Sequence, residues 1–357
     1  MADLPISIIA AGHAARAGCG MRSEEGCDGK PATILKVLDE TEYQVYKRLW
    51  TCHTGDPILR FIPRFCGVVV EPDAHGRLCQ FLRISNLTNG FRHPKVMDIK
   101  LGIRTFSETE RLNNVPRSDL YARMMTLYAS EITAKEHRLR AVTKCRFMSS
   151  RDANTTIRSL GYRVDGIAGF RSKGQMAIEH EISSICNLKD TRRFFSQFAQ
   201  AAATDEGAEP DGLSAHIVAE RIAAQLQELF AVMKSSSFVR QHKFIGTSIL
   251  LVADSSGRTG AYWIDFAKTY SVDSNTEVDH CSAWEPESQE DGILTGLSNL
   301  ANSWNWTAEA LKMSMDVAAI KEPQSSIPLV QAVQAMASNE CQPWNREPQM
   351  LPHQGRI

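Results

Sequence analysis

The sequence lacks the features that would direct a chain to a membrane or an oxidising compartment, and it lacks an overall excess of positive charge. Its nine cysteines are odd in number and form no CxxC pair, which argues against a zinc ribbon or a disulfide framework and predicts a reducing cytosolic or nuclear compartment. No basic segment of a signal peptide opens the chain. The most apolar run, SILLVA at 248–253, is too short to span a membrane. A formal net charge of −1 gives no global field for anions.

Two common nucleotide-binding signatures are also missing. The Gly29-Lys30-Pro31 stretch is not a Walker motif, because Glu24 stands where the first glycine should be and Pro31 follows the lysine. No HRD-type catalytic loop is present either. The chain is therefore neither a P-loop enzyme nor a standard protein kinase.

What is present is an α+β pattern. The stretches PISIIA, at 5–10, and ATILKVL each predict a strand, and the next residues, 39–50, predict a helix with Asp39 as its N-cap. Further strands are expected on both sides of a PDAHG turn, and the IGTSILLVAD and GAYWIDFAKTY stretches predict a second, buried hairpin. We expect an N-terminal lobe at 1–92, a second lobe at 93–305 with a helical insertion at about 106–153, and a loosely ordered extension at 306–357.

The segment HPKVMDIKLG carries two opposite charges within a predicted strand. Alternation along a strand puts Asp98 and Lys100 together on one face of an otherwise apolar element. A lysine in this place can neutralise charge on a phosphoryl group in transfer. The alternative is a structural ion pair, which contributes little.

Two further pieces fit phosphoryl transfer. Lys36 lies in a predicted strand and Glu42 on the following helix, an arrangement that clamps nucleotide phosphates. Asp265 follows a buried strand and precedes Phe266, a position suited to Mg²⁺, and Ser248 on the partner strand could add a hydroxyl. The alternatives are an edge-strand lysine for Lys36, turn chemistry for Asp265 and a buried, hydrogen-bonded hydroxyl for Ser248.

A basic segment lies between these pieces. Residues 134–173 hold ten lysines and arginines against three acids. Lys144 and Arg151, with Phe147 near them, could bind a small polyanion. A solvated helix face or a nucleic-acid patch is the alternative. The near-neutral chain and the few interleaved aromatic residues argue against a nucleic-acid partner.

Together these pieces resemble the inositol polyphosphate kinases. Pro94-x-x-x-Asp98-x-Lys100-x-Gly102 matches the PxxxDxKxG signature of that family, GTSILL resembles its SSLL element, and IDFAKT resembles its IDFGKT. The stretch VDHCSAWEPESQEDGILTGLSNL is similar to the family's C-terminal stretch. Within the family, AVTKCRFMSSRD and LGYRVDGI look most like the inositol-trisphosphate 3-kinases.

The resemblance implies a two-lobed, kinase-like α+β fold with a helical substrate-binding insertion, and an ATP- and Mg²⁺-dependent kinase for the 3-hydroxyl of inositol 1,4,5-trisphosphate. It implies that Asp98, Lys100 and Asp265 are catalytic and that Asp265 and Ser248 serve the metal. The residues implied for the nucleotide are Lys36, Glu42, Ser248 and Asn86, which stands with Ser85 where the family's hinge carries an acidic pair. The residues implied for the inositol phosphate are Lys100, Lys144, Phe147 and Arg151.

Two other functions stay open at this stage. One is a multikinase that acts on several inositol phosphates, and the other is a catalytically impaired protein that binds inositol phosphate through its basic face. Animal 3-kinases carry an N-terminal extension with a calmodulin-binding segment. Because this chain starts almost at its first predicted strand, calmodulin is not an expected partner. The sequence does not decide whether Asp98 accepts a proton or orients Lys100.

Overall fold

The computed structural model describes residues 22–25, 31–73, 76–170, 181–204, 214–272, 278–285, 288 and 290–320. Packing divides the chain into two units, Met1–Met313 and Ser314–Ile357. The described part of the second unit is the end of a helix that begins in the first. The first predicted strand, at 5–10, lies outside the described residues. In the described part of the chain, we find no helix that is both long and apolar enough to cross a membrane.

The chain alternates between antiparallel strands and groups of helices. The strands are β1 (Arg22–Glu25), β2 (Pro31–Val37), β3 (Phe65–Pro72), β4 (Leu78–Ser85), β5 (Lys95–Leu101), β6 (Tyr162–Ala168), β7 (His242–Phe244), β8 (Ser248–Ala253), β9 (Thr259–Ile264) and β10 (Thr269–Ser271). The helices are α1 (Glu40–Cys52), α2 (Glu108–Leu112), α3 (Ser118–Leu127), α4 (Ala134–Leu139), α5 (Lys144–Ala153), α6 (Ile157–Leu160), α7 (Leu188–Ala203), α8 (Ala215–Ser235), α9 (Ser237–Arg240) and α10 (Ile293–Ile320). Short 3₁₀ turns lie at Pro57–Phe61 and Ala129–Glu131.

A first antiparallel sheet has the strand order β1-β2-β4-β3. Helix α1 follows β2 and begins as the sequence predicted, because the Asp39 side chain accepts a hydrogen bond from the Glu42 backbone N–H at 3.0 Å. Val45, Tyr46 and Leu49 on one face of α1 are buried. That face packs in the same apolar cluster as Leu82 of β4, which fixes α1 against the first sheet.

A second antiparallel sheet has the order β6-β5-β8-β9. Strands β8 and β9 form the predicted hairpin, with Ser248 opposite Ile264 and Ala253 opposite Thr259. Strand β5, which carries the Asp98–Lys100 pair, is central and has β6 on one side and β8 on the other. Its register with β6 shifts between Asp98 and Ile99, which is a β-bulge. Because β5 is paired on both sides, its backbone is held firmly, and the bulge beside it changes the local direction of side chains.

The hydrophobic core lies between the second sheet and helices α7, α8 and α10, with Trp263 and Trp304 fully buried in it. Helix α10 extends past residue 306, where the sequence predicted the start of a loosely ordered extension, and continues to Ile320. Its positions 308 and 311 explain the difference, because Ala308 and Leu311 pack into the core and stabilise those turns. Residues 321–357 lie outside the described residues.

Helices α2 to α5 fill the segment expected to be a helical insertion. Leu120 and Met124 of α3 pack with Tyr128, Val142 and Phe147 in a small apolar cluster of their own. Helices α2 and α4 are short, and each begins with a capping box, at Ser107 and at Thr133. This cluster and these caps hold the basic helix α5 in place. The boundary between the two lobes at 92–93 stays a prediction.

Candidate active site

Lys36 and Glu42 form the first part of the site. Lys36 lies on β2 and Glu42 in the first turn of α1, and Lys36 Nζ lies 2.8 Å from Glu42 Oε2. Glu42 is 1% exposed, and its Oε1 accepts a second hydrogen bond from the Phe266 backbone N–H at 3.3 Å. The carboxylate therefore ties the lysine of the first sheet to the loop that follows the second sheet.

Asp265 is the centre of the site. It follows β9 with a φ of +67°, a left-handed conformation that a residue other than glycine adopts rarely. Its Oδ1 accepts a hydrogen bond from Lys36 Nζ at 2.9 Å, and its Oδ2 accepts one from Lys100 Nζ at 2.7 Å. The Phe266 ring is fully buried against Tyr46 and Trp263, and this anchor holds the Asp265 backbone in its unfavourable conformation.

The charges of this cluster keep one another ionised. Burial raises the pKa of Asp265, but the attraction of Lys100 and Lys36 outweighs it, and the net pKa is lowered. Burial lowers the pKa of Lys36 and of Lys100, but Asp265 and the other nearby carboxylates outweigh it, and both pKa values are raised. One carboxylate between two ammonium groups is thus fixed in its charged form at any working pH.

Asp98 and Ser248 lie beside this cluster. Asp98 is 5% exposed and Ser248 is fully buried. The Ser248 hydroxyl lies close enough to the Asp98 carboxylate to lower its pKa, while Asp98 Oδ1 has no hydrogen-bond partner among the described residues. No ion pair in the described part of the chain joins Asp98 to Lys100, whose ammonium contacts Asp265 instead. The simple ion pair between Asp98 and Lys100 that the strand pattern allowed is therefore absent. Burial raises the pKa of Asp98 to about 6.

Gly102 explains the last position of the PxxxDxKxG motif. It ends β5 with a φ of +97°, and a Cβ there would lie 2.8 Å from the Asp291 carbonyl oxygen. Its N–H donates to the Gly161 carbonyl at 2.9 Å. A side chain at this position would push apart the segments that hold Lys100, so the glycine is required for packing.

Arg151 lies on the other side of β5, at the end of α5. Its Nη2 lies 2.8 Å from Asp165 Oδ1 on β6, and Arg163 Nε donates to the same oxygen at 3.1 Å. Arg163 Nη1 also donates to Asp152 at 2.7 Å, so Arg163 locks β6 to α5. The attraction of Arg151 and Arg163 outweighs the burial that raises the pKa of Asp165, and the net pKa is lowered. The buried, ionised carboxylate of Asp165 therefore fixes the orientation of the Arg151 guanidinium.

Lys144 and Lys268 meet at a second carboxylate. Lys144 Nζ, at the start of α5, lies 2.5 Å from Glu110 Oε1, and Lys268 Nζ lies 2.7 Å from Glu110 Oε2. Lys268 Nζ also donates to the Thr105 carbonyl at 3.0 Å. Burial lowers the pKa of Lys268, the charges of Lys144 and Lys100 lower it further, and together they outweigh the opposing attraction of Glu110.

Two predicted site residues have structural contacts. Phe147 is 4% exposed and packs in the apolar cluster with Leu120 and Met124, so its substrate contact stays a prediction. Asn86 follows β4, where its N–H donates to the Ala32 carbonyl at 2.9 Å. Its Oδ1 accepts from the Thr88 N–H at 3.1 Å and from the Thr88 hydroxyl at 2.8 Å. Its predicted contact with the nucleotide also stays a prediction.

The set of oxygens at Asp265 fits a hard divalent cation. Mg²⁺ prefers oxygen ligands and is commonly held by one or two carboxylates together with substrate phosphates. Asp265 supplies a carboxylate, and the buried oxygens of Asp98 and Ser248 lie nearby. Among the residues that the structure describes, no group of three or more His, Cys, Asp or Glu side chains could hold a metal by itself. The Asp265 carboxylate fits a cation that takes its remaining ligands from substrate phosphates and water.

His280 and Asp291 form a buried pair, and the Asp291 backbone packs against Gly102 at the end of the motif. His280 Nδ1 lies 3.0 Å from Asp291 Oδ1, and its Nε2 lies 3.1 Å from the Val239 carbonyl oxygen. Asp291 Oδ2 also accepts the Phe244 N–H at 2.8 Å. Both ring nitrogens face acceptors, which favours the doubly protonated imidazole. Burial lowers the pKa of His280, but the hydrogen bond and the charge of Asp291 outweigh it, and the net pKa lies above 6.5.

This pair predicts a pH-dependent stability. Because the folded-state pKa is raised, the contribution of His280 is fully present below about pH 6.5 and is lost as the pH rises through the raised value. We expect His280→Gln to lower the free energy of unfolding more at pH 6 than at pH 9. Urea denaturation at both pH values checks this, with the exposed His137→Gln as control. An equal loss at both values would contradict the assignment.

Sequence reasoning missed Asp165, Arg163, Asp152 and Glu110. Each acts through a partner distant in the chain, such as Asp165 with Arg151 or Glu110 with Lys268. The one signal available was local. Ser107 followed by Glu110 is a capping-box spacing, which marks a short helix but not the lysines that its acid contacts.

Comparison with known proteins points to one family. The family model described as inositol polyphosphate kinase matches residues 81–305. Inositol-trisphosphate 3-kinase A from Rattus norvegicus is 32% identical over 276 residues, and the enzyme of the same name from Homo sapiens is 33% identical. Each alignment covers 76% of this chain but 54% of the relative, so the chain spans about half the length of these relatives.

Among solved structures, the inositol phosphate multikinase from S. cerevisiae, in complex with ADP and Mn²⁺, superposes with a TM-score of 0.50 at 14% identity. The match covers 77% of this chain and 98% of that one. This likeness confirms the predicted kinase-like α+β fold. The motif on β5, the Asp265 cluster and the match of the family model over residues 81–305 lead to one conclusion: the chain belongs to the inositol polyphosphate kinase family.

Proposed function

We propose that this protein is an ATP-dependent kinase that phosphorylates the 3-hydroxyl of inositol 1,4,5-trisphosphate. The observation that carries the proposal is the position of Lys100. Its ammonium contacts Asp265 on one side, at 2.7 Å. On the other side, its strand β5 pairs with β6, so that Lys100 lies opposite Arg163. Lys100 therefore sits between a nucleotide-type cluster and a basic cluster, where a phosphoryl group would pass.

The nucleotide side consists of Lys36, Glu42 and Asp265. The ammonium of Lys36 would contact the ATP phosphates while Glu42 keeps it in place. Asp265, with Ser248 beside it, would hold a divalent cation, which when bound neutralises charge on the β- and γ-phosphates. The S. cerevisiae multikinase that shares the fold was solved with ADP and Mn²⁺, which supports ATP and Mg²⁺ as the cofactors here.

The acceptor side consists of the Arg151 guanidinium and the ammonium groups of Lys144 and Lys268. Lys144 and Arg151 lie seven residues apart, on one face of α5, and Lys144 shares Glu110 with Lys268. Such a set of cations suits a small molecule with several phosphates, since arginine binds phosphate in a bidentate manner and lysine as a point charge. The match to inositol-trisphosphate 3-kinases over 276 residues includes α5, which carries Lys144 and Arg151, and supports inositol 1,4,5-trisphosphate as the acceptor.

The transfer itself depends on position and charge. The transition state of phosphoryl transfer is loose and spreads charge over the equatorial oxygens. Lys100 would leave its contact with Asp265 and bind these oxygens. Asp98, whose pKa is about 6, is largely ionised at pH 7 and above. Its unsatisfied Oδ1 would accept the proton of the attacking hydroxyl or hold Lys100 toward the transferred group.

A substrate panel tests the proposal. The purified protein is incubated with Mg-ATP and inositol phosphates that carry three or four phosphates, and the products are resolved by anion-exchange chromatography. We expect the 1,4,5-trisphosphate to react with at least about tenfold higher kcat/KM than any tetrakisphosphate, a difference of about 1.4 kcal/mol. Comparable rates would instead favour a multikinase. Binding without ADP formation would favour a catalytically impaired binding protein.

Arg151 gives a prediction on affinity. Arg151→Ala should raise the KM for the inositol phosphate by about thirtyfold, the cost of about 2 kcal/mol for one charged hydrogen-bonded contact, with less than a threefold change in kcat. The change should spare the fold, because Asp165 keeps Arg163 as a partner. Steady-state kinetics with varied inositol phosphate checks this. The matched control is Arg158→Ala, an exposed arginine on the neighbouring helix α6. Equal KM values for Arg151→Ala and wild type would contradict the role.

A further inference from the structure

Glu110 places a negative charge at a point that is otherwise built for anions. Its two carboxylate oxygens contact different lysines, Lys144 at 2.5 Å and Lys268 at 2.7 Å. Burial raises the pKa of Glu110, but the hydrogen bonds and charges of these lysines outweigh it and lower the pKa to about 2. The carboxylate is therefore ionised at every pH at which the protein works.

The position of Glu110 does not depend on the lysines. It is the fourth residue of a capping box in which its backbone N–H donates to Ser107 Oγ at 3.2 Å and its Oε2 accepts the Ser107 N–H at 2.9 Å. Local backbone geometry thus holds the carboxylate in place. Lys268 likewise keeps a second acceptor, the Thr105 carbonyl. Removal of the Glu110 charge would leave both the helix cap and Lys268 in place.

An anion that bridges Lys144 and Lys268 must contend with this carboxylate. The two lysines come from separate elements, the start of α5 and the loop after β9, and Glu110 is the group that they share. A substrate phosphate cannot use both ammonium groups fully while Glu110 holds them, since two anions a few ångströms apart in a half-buried site repel each other.

We propose that Glu110 is a specificity-determining residue, a built-in competitor that holds Lys144 and Lys268 in the empty site and is displaced from them by a substrate phosphate. This inference rests on the proposed function, since it takes an inositol phosphate as the ligand. Only a ligand with a dianionic phosphate at these lysines gains enough electrostatic attraction to offset the free energy lost when Glu110 is displaced. Glu110 therefore lowers the affinity for every ligand of the lysine pair and excludes those with a single negative charge there.

The test is titration calorimetry of the full chain with inositol 1,4,5-trisphosphate in the absence of ATP. We expect Glu110→Gln to bind this ligand about tenfold more tightly than the wild type, because glutamine keeps the capping box but removes the competing charge. The matched control is Glu136→Gln. Glu136 has the same place in the capping box of α4 and pairs with Arg146 at 3.0 Å, and its change should alter the affinity less than twofold.

A second variant separates folding from competition. Glu110→Asp keeps an acid in the first turn of α2 but withdraws the carboxylate by one methylene, so it should tighten binding by a smaller factor than glutamine. Unchanged or weaker binding by Glu110→Gln, with a wild-type melting temperature, would overturn the inference and make Glu110 a positioning group for the lysines. Absence of binding to the wild type would overturn the proposed function itself, and the inference with it.

Discussion

Replacement of Asp265 by asparagine should lower kcat by about a thousandfold or more. The carboxylate is the shared partner of Lys36 and Lys100, at 2.9 and 2.7 Å, and it is the acid best placed to hold a divalent cation beside the ATP phosphates. Asparagine keeps the shape but removes the charge, so the metal would lose its main protein ligand. Loss of the electrostatic stabilisation of a transferring phosphoryl group costs about 10³-fold or more.

The measurement is the steady-state rate of ADP formation at saturating ATP and inositol phosphate, over a range of Mg²⁺ concentrations. The control is Asp56→Asn, which changes an acid that caps a 3₁₀ turn elsewhere by accepting the Ile58 N–H. We expect this control to retain the wild-type rate. Asp265→Asn should also need more Mg²⁺ for half its residual rate. A rate within threefold of the wild type would rule out Asp265 as the metal ligand.

Lys100→Met should be nearly as damaging, with kcat lowered by about a thousandfold. Methionine fills a similar volume but cannot neutralise the charge that develops on the transferred group, and loss of one such donor costs about 3–4 kcal/mol. Because the proposed function has both substrates meet at Lys100, we expect the loss in kcat rather than in KM. Folding should be retained, because Asp265 keeps Lys36 as a partner.

The control for this variant is Lys95→Met on the same strand. Lys95 Nζ donates to the Gly169 carbonyl at 2.8 Å and lies 5.8 Å from the centre of the Phe170 ring, so it serves the end of the strand. Single-turnover experiments on both variants separate the transfer step from product release. If Lys100→Met carried out the transfer step as fast as Lys95→Met, Lys100 would have no part in the transfer.

The ATP-side geometry was largely predictable from sequence, because its signals are local. A strand followed by an Asp39-capped helix places Lys36 beside Glu42. A buried strand followed by Asp265 and Phe266 places the acid at the end of a sheet. The hairpin of β8 and β9 follows from two apolar runs with a short turn between them, and it brings Ser248 opposite Ile264.

The sequence could not show which charges meet across the fold. Asp98 and Lys100 are neighbours on one face of β5, yet Lys100 pairs with Asp265, which is far away in the chain. The place of Asp165 beside the site follows from the pairing of β6 with β5, which the sequence did not predict. The periodicity of α10 past residue 306 was weak because it carries exposed Trp306 and Met313 beside the buried Ala308 and Leu311, so its core contacts decide its length.

In the proposed function, the protein transfers a phosphoryl group from ATP to one hydroxyl of an inositol trisphosphate, with Lys100 and Asp265 at the transfer site. The most direct measurement is incubation of wild-type protein with γ-³²P-labelled Mg-ATP and inositol 1,4,5-trisphosphate, followed by NMR assignment of the product. The account predicts that the label appears only on the 3-position, and that Lys100→Met and Asp265→Asn give about a thousandth of that rate or less. Label on another hydroxyl, or ADP released without labelled inositol phosphate, would contradict it.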